Sequence, residues 1–110
     1  MVISNYMLWL AILFNVLTNI GFKYASMVEK NPAKYWVIFI GSLVFGLLNS
    51  YCFTEALKAI PLNVASAIFF SITILGLCLV SYVWFQEPIS FKQTLGIFVI
   101  IAGVLLVNAG

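Results

Sequence analysis

The 110-residue chain has no histidine, no aspartate and no arginine, and its only ionisable carboxylates and amines are three glutamates and five lysines. Without histidine or aspartate, the common ligand sets for a zinc ion and the common nucleophilic triads are missing. Without arginine or aspartate, so are the clamps of phosphoryl transfer. No catalytic residue, metal site or cofactor is expected, and the chain does not read as an enzyme. Cysteine is scarce too: Cys52 and Cys78 stand in separate apolar stretches with no metal-like spacing, as packing residues do. Charge at 7% beside 65% hydrophobic residues lies far outside soluble usage and leaves no room for a folded extramembrane domain, a nucleotide site or a nucleic-acid surface. Any function must be carried out inside a bilayer.

What the chain does contain is four apolar runs, at 6–22, 35–56, 64–85 and 94–108. Each is near the roughly 20 residues that cross a bilayer as a helix. The expected fold is all-α, a single domain over 1–110 with transmembrane helices at about 6–26, 35–57, 62–85 and 93–109. Breakers and charges separate them: Glu29, Lys30, Asn31, Pro32 and Lys34, then Lys58, Pro61 and Asn63, then Glu87, Pro88, Ser90 and Lys92. Such short breaks make consecutive helices antiparallel neighbours. No lysine precedes the first helix, and Asn15 and Asn19 interrupt it, so it reads as a retained helix rather than a signal sequence. Lys23, Lys30, Lys34 and Lys92 fall with the first and third loops and Lys58 with the second, a bias that puts the first and third loops in the cytoplasm and both termini outside.

The first helix carries Asn15, Thr18, Asn19 and Lys23 on one face, with Ser26 continuing the line. Polar groups at membrane depth are costly unless they face a bundle interior or a watery cavity, so this stripe predicts a binding or translocation path. Lys23 is either its cationic end or a side chain snorkelling to the interface. In the second helix Gly41, Ser42, Gly46 and Ser50 are packing positions, whereas Asn49, one heptad from Ser42, adds a hydrogen-bonding group to the interior. Glu55 and Lys58, three apart near the surface, form an interfacial pair. In the third helix Asn63, Ser66, Phe70 and Thr73 share a face, with Phe69 and Ser71 beside them, as a cavity lining or as plain packing. It ends in the interfacial aromatics Tyr82, Trp84 and Phe85. Gly96 and Gly103 of the fourth helix are a heptad apart with no polar partner, which predicts a helix contact used in oligomerisation.

The Ile60-Pro61 break leading into Ala65-Ser66-Ala67-Ile68, and Gly96 with Ala102-Gly103-Val104-Leu105, resemble the small multidrug resistance family over nearly the whole chain. The resemblance implies a dimer whose last helix forms much of the contact, which maps onto Gly96 and Gly103. Drug and guanidinium exporters of that family depend on a glutamate midway along the first helix. With Lys23 matched to the family lysine, Asn15 stands at that position, and an asparagine cannot exchange protons for a cation. Ser66 stands where those exporters carry tyrosine and Phe69 where they carry tryptophan.

Trp84, Glu87-Pro88, Ser90 and the downstream Gly96 are similar to the flippase subunits that move aminoarabinose-linked undecaprenyl phosphate across the bacterial inner membrane. That resemblance implies a lipid-linked sugar phosphate as substrate, with Lys23 as the cation for phosphate. Asn15, Thr18 and Asn19 would serve the sugar, and Asn49, Ser66, Phe69, Phe70 and Thr73 would complete the lining. Two further readings stay open. One is a small-solute or drug exporter of the same fold, with Glu55 as its near-membrane carboxylate. The other is a non-transporting partner that works only as a heterodimer with a paralogue.

Overall fold

The computed structural model describes residues 5–28 and 30–109, so Glu29 of the first loop lies outside the described residues. Four helices follow one another: α1 Tyr6–Met27, α2 Pro32–Ala56, α3 Leu62–Val83 and α4 Phe91–Ala109. All four are long and apolar enough to cross a membrane, and no strand occurs among the described residues. The expected all-α, four-span class is borne out, and the chain is a multi-pass membrane protein.

The helix ends follow local chemistry more than hydropathy. Asn5 caps α1 by accepting a bond from the backbone N–H of Leu8 at 3.2 Å. Asn31 does the same for Lys34 at 3.3 Å, with Pro32 at the first helical position. This cap starts α2 before the apolar run that begins at Tyr35, because proline there lacks only an N–H that would be unpaired anyway. At the end of α3 the N–H groups of Trp84 and Phe85 both return to the Val80 carbonyl, and Gln86 adopts a left-handed φ of 56°. The helix therefore stops at Val83, before the aromatic cluster has finished. Ser90 and Gln93 cap α4 reciprocally: the Gln93 N–H donates to Ser90 Oγ at 3.1 Å and the Ser90 N–H to Gln93 Oε1 at 2.8 Å.

Helix α1 packs against both α2 and α3, and α4 leans on α3. The result is a slab of 48 × 36 × 17 Å rather than a rounded bundle. Its core lies at one end, where the start of α1, the end of α2 and the start of α3 meet: Leu8, Ala11, Ile12, Cys52, Ala56, Ala65, Ile68 and Phe69, closed over by Ile60. Alanines at three of these places let the helix backbones approach. In lipid that contact, rather than the hydrophobic effect, holds helices together. No residue of α4 is buried, and Phe98, Val99, Leu105 and Leu106 point outward as lipid-facing side chains do.

Toward the other end α1 and α2 approach closely at Gly21 and Ser42. A Cβ at Gly21 would lie 2.9 Å from the Ser42 Cβ and closer still to its hydroxyl. The Ser42 side chain is itself buried and donates to the Ile38 carbonyl at 2.8 Å. By contrast, a Cβ at Gly41 would meet nothing within 4 Å. Gly21→Ala is therefore expected to lower unfolding stability in detergent or bicelles by about 1–3 kcal/mol. Adding Ser42→Gly should restore it, and Gly41→Ala should leave it near wild type. Equal effects of the two alanine substitutions would refute the close contact.

Candidate functional site

The polar stripe of α1 divides into three parts with different surroundings. Midway along the helix, the Asn15 Nδ2 donates to Thr73 Oγ1 of α3 at 3.3 Å, and the Asn49 Nδ2 of α2 donates to Asn15 Oδ1 at 3.5 Å. Asn19 joins from the next turn, its Nδ2 donating to the Asn15 carbonyl at 2.8 Å and lying 3.4 Å from Asn15 Oδ1. One carboxamide thus ties the three core helices together at membrane depth. Thr18 does not take part: it is buried toward Gly46 of α2 and its hydroxyl returns to the Phe14 carbonyl at 2.8 Å. Ser26 likewise bonds its own helix, to the Lys23 carbonyl at 2.6 Å.

The third helix brings only part of its expected face inward. Thr73 is buried in the network, and Phe69 is buried in the core with its ring 4.8 Å from that of Phe53. Phe70 is 58% exposed and reaches inward only through the edge of Phe69, 5.0 Å between centroids. Ser66 is half-buried, and no hydrogen bond joins it to the Asn15 cluster. Steps of three, four and three sweep a wide arc, and one residue turns a helix by roughly 100°, so Phe69 and Phe70 cannot both face inward. Gly96 and Gly103 have nothing within 4 Å of where a Cβ would sit, and Gly96 borders a cavity shared with α3.

Past Asn19, away from the core, α1 and α3 diverge around two cavities. One, of about 200 Å³, is bordered by Asn19, Lys23, Ser81, Phe85 and Glu87. The other, of about 460 Å³, is lined by Ile20, Tyr24, Leu79, Val80, Val83 and Trp84, and its walls are almost wholly apolar. Ile20 and Val80 border both, so the cavity that carries polar and charged side chains within a largely apolar lining adjoins the almost wholly apolar one. A third cavity, of about 630 Å³, lies between α3 and α4 and shares Ser81 and Glu87 with the first.

Lys23 is not a free cation. Its Nζ lies 3.1 Å from Glu87 Oε2, with both side chains nearly half exposed, and 5.8 Å from the centre of the Phe85 ring. Ser81 donates to the other carboxylate oxygen, and the Glu87 N–H donates to the Ser81 carbonyl at 3.0 Å. The left-handed Gln86 aims Glu87 back over the end of α3. The Ser81 hydroxyl, and after it the Lys23 ammonium, hold the Glu87 carboxyl below its ordinary range. Sequence reasoning missed this pairing, although the first and third loops were placed on one side of the membrane, where the two residues can meet. An exposed pair of this kind is weak and easily opened by a competing anion. The Glu55–Lys58 pair expected from spacing forms at 2.9 Å and, through that hydrogen bond, raises the Lys58 amine above its usual value. It sits at the core end of the slab, away from the cavities.

The family described as Small Multidrug Resistance protein has a sequence model that matches residues 3–100. Two relatives come from Bacillus subtilis (strain 168). "Uncharacterized membrane protein YvdR" is 29% identical over 91% of this chain and 90% of its own length. "Uncharacterized membrane protein YvaE" is 34% identical over 92% of this chain and 81% of its own length.

A depressed folded pKa means that the Glu87 link is intact above the ordinary glutamate range and is lost as pH falls through the lowered value. Carboxyl carbon NMR of the protein in nanodiscs, with the signal assigned through Glu87→Gln, should place its midpoint below about 4.3. Ser81→Ala and Lys23→Met should each move it upward. A wild-type midpoint at or above the ordinary value would contradict the latch.

Proposed function

The chain belongs to the small multidrug resistance family, and from that premise we propose that it is a transporter that flips a polyprenyl phosphate-linked sugar across the bacterial cytoplasmic membrane. The supporting observation is the adjacency of the two α1–α3 cavities. An amphiphile with a polar head and a greasy tail needs both compartments side by side, and Ile20 and Val80 border the two at once. The head would enter past Lys23, exchange its phosphate for the Glu87 carboxylate as counter-ion, and reach the Asn19 and Asn15 carboxamides with its hydroxyls. The tail would stay in the apolar compartment beside Trp84 and Tyr24.

The seat itself is uncharged. Asn15 carries no titratable proton, so it cannot itself couple turnover to one. The lysine bias supports a cytoplasmic position for the cavity end, with the core closing the opposite end. Passage then needs the closed end to open in a second state within a few kcal/mol of this one. A second subunit, the same chain or a paralogue, would pack on α4 at Gly96 and Gly103, where a Cβ would meet nothing within 4 Å. The competing exporter reading relies on Glu55, which Lys58 already engages far from the cavities.

Protein reconstituted in vesicles should flip a radiolabelled polyprenyl phosphate sugar without a pH gradient, and Glu55→Gln should leave the rate nearly intact. Lys23→Ala, with the fold verified by circular dichroism, should slow flipping by about tenfold or more. Unchanged flipping and lipid binding in that variant would sink the phosphate contact. Activity that needs a proton gradient and vanishes with Glu55→Gln would favour the exporter. Activity seen only with a co-reconstituted paralogue would favour the partner-subunit reading.

A further inference from the structure

The carboxamide network at the centre of the slab leaves one acceptor unused. Asn49 Oδ1 is shielded from solvent and receives no hydrogen bond, although the Nδ2 of the same side chain reaches Asn15. Rotating the amide by half a turn does not cure this. Asn19 fixes the direction of the network, because its Nδ2 is held by the Asn15 backbone carbonyl at 2.8 Å and so presents a donor to Asn15 Oδ1. Asn15 must therefore keep its oxygen toward Asn19 and Asn49 and its nitrogen toward Thr73. With Asn15 oriented in this way, a flipped Asn49 would set oxygen against oxygen. The orphan acceptor is imposed by its neighbours.

A buried acceptor without a donor is costly, and native structures rarely keep one without a reason. The side-chain bonds of the neighbouring Asn15 cluster are loose, at 3.3–3.5 Å. They can open to an incoming group at small cost. Asn19 leads there: it borders the cavity of Lys23 and Glu87 on one side and joins the Asn15 cluster on the other.

We propose that Asn49 Oδ1 is the specificity-determining acceptor of the transport path, and that it selects substrates whose polar head carries a hydrogen-bond donor. This rests on the amphiphile reading above and narrows it. A head that offers a hydroxyl or an N–H completes the network, whereas a head with acceptors alone leaves the orphan in place and sets its own oxygens against it. A site built to receive a donor rejects analogues lacking one far more strongly than an apolar pocket rejects a change of size. Asn49 acts here as an acceptor, distinct from the cationic contact assigned to Lys23.

The test compares citronellyl phosphate glucose with the same compound bearing O-methyl groups on every sugar hydroxyl, by titration calorimetry on the protein in nanodiscs. Wild type should bind the free glycoside about tenfold or more tightly than the methylated one, and Asn49→Leu should bind the two alike. Discrimination that persists in Asn49→Leu would assign it to methyl bulk and overturn the proposal, as would equal binding of both by wild type. Should Asn49→Leu fail to fold, the Asn49 side-chain amide signal of wild type serves instead. It should shift with the free glycoside and stay fixed with the methylated one, and the absence of a selective shift overturns the assignment. A water on Asn49 Oδ1 that survives glycoside binding would also overturn it. If neither compound binds, the flippase reading fails. If both bind equally and are flipped, that reading stands and only the role of Asn49 falls.

Discussion

Helices immersed in hydrocarbon gain little from burying apolar side chains against one another, so this fold depends on how closely its backbones can approach. The approach is made where side chains are smallest. Ala11, Ala56 and Ala65 form the core end, and Gly21 lies against Ser42 farther along α1 and α2. Past Asn19, where no alanine or glycine contact of this kind joins α1 to α3 among the described residues, cavities lie between them. One constraint therefore creates both the closed end and the open end of the slab.

The same medium governs the polar groups. A carboxylate at Asn15 would be expensive at that depth and would titrate, which suits the exchange of protons for a cation. A carboxamide cannot titrate, but it can donate and accept at once, and here it links α1 to α2 and α3 together. Charge is kept at the ends of the slab instead. Lys23 meets Glu87 at one end and Lys58 meets Glu55 at the other. The membrane interior thus holds a neutral polar seat, with an ion pair guarding its entrance.

Much of this was legible from residue pattern. The four spans, the interfacial Glu55–Lys58 pair and the inward direction of Asn15, Asn19 and Asn49 follow from helical periodicity and from the cost of polar groups in lipid. The caps at Asn31 and Ser90 are local signals that hydropathy overlooks, and they moved the helix starts. Thr18 stands apart from the network because its hydroxyl bonds its own backbone, a choice that spacing does not reveal. Phe70 was grouped with the interior because a broad arc of polar positions was taken as a single face. Gly21 drew no notice, since a glycine shows its importance only through what lies opposite it.

The sequence by itself determined the class of protein, because composition and the length of apolar runs decide the solvent in which a chain is stable. It also determined that no proton-carrying group stands on α1 at the position of Asn15, since the identity of a side chain sets its chemistry. Only the tertiary structure decided which polar groups meet. Lys23 and Glu87 are separated in the chain by the whole of α2 and α3, and their pairing depends on the left-handed turn at Gln86 and the packing of α1 on α3. The orphan oxygen of Asn49 likewise exists only because α1 and α2 bring three amides together and the Asn15 backbone carbonyl fixes the direction of one of them. Hydrogen-bond direction is a property of an assembled network, and no residue carries it alone.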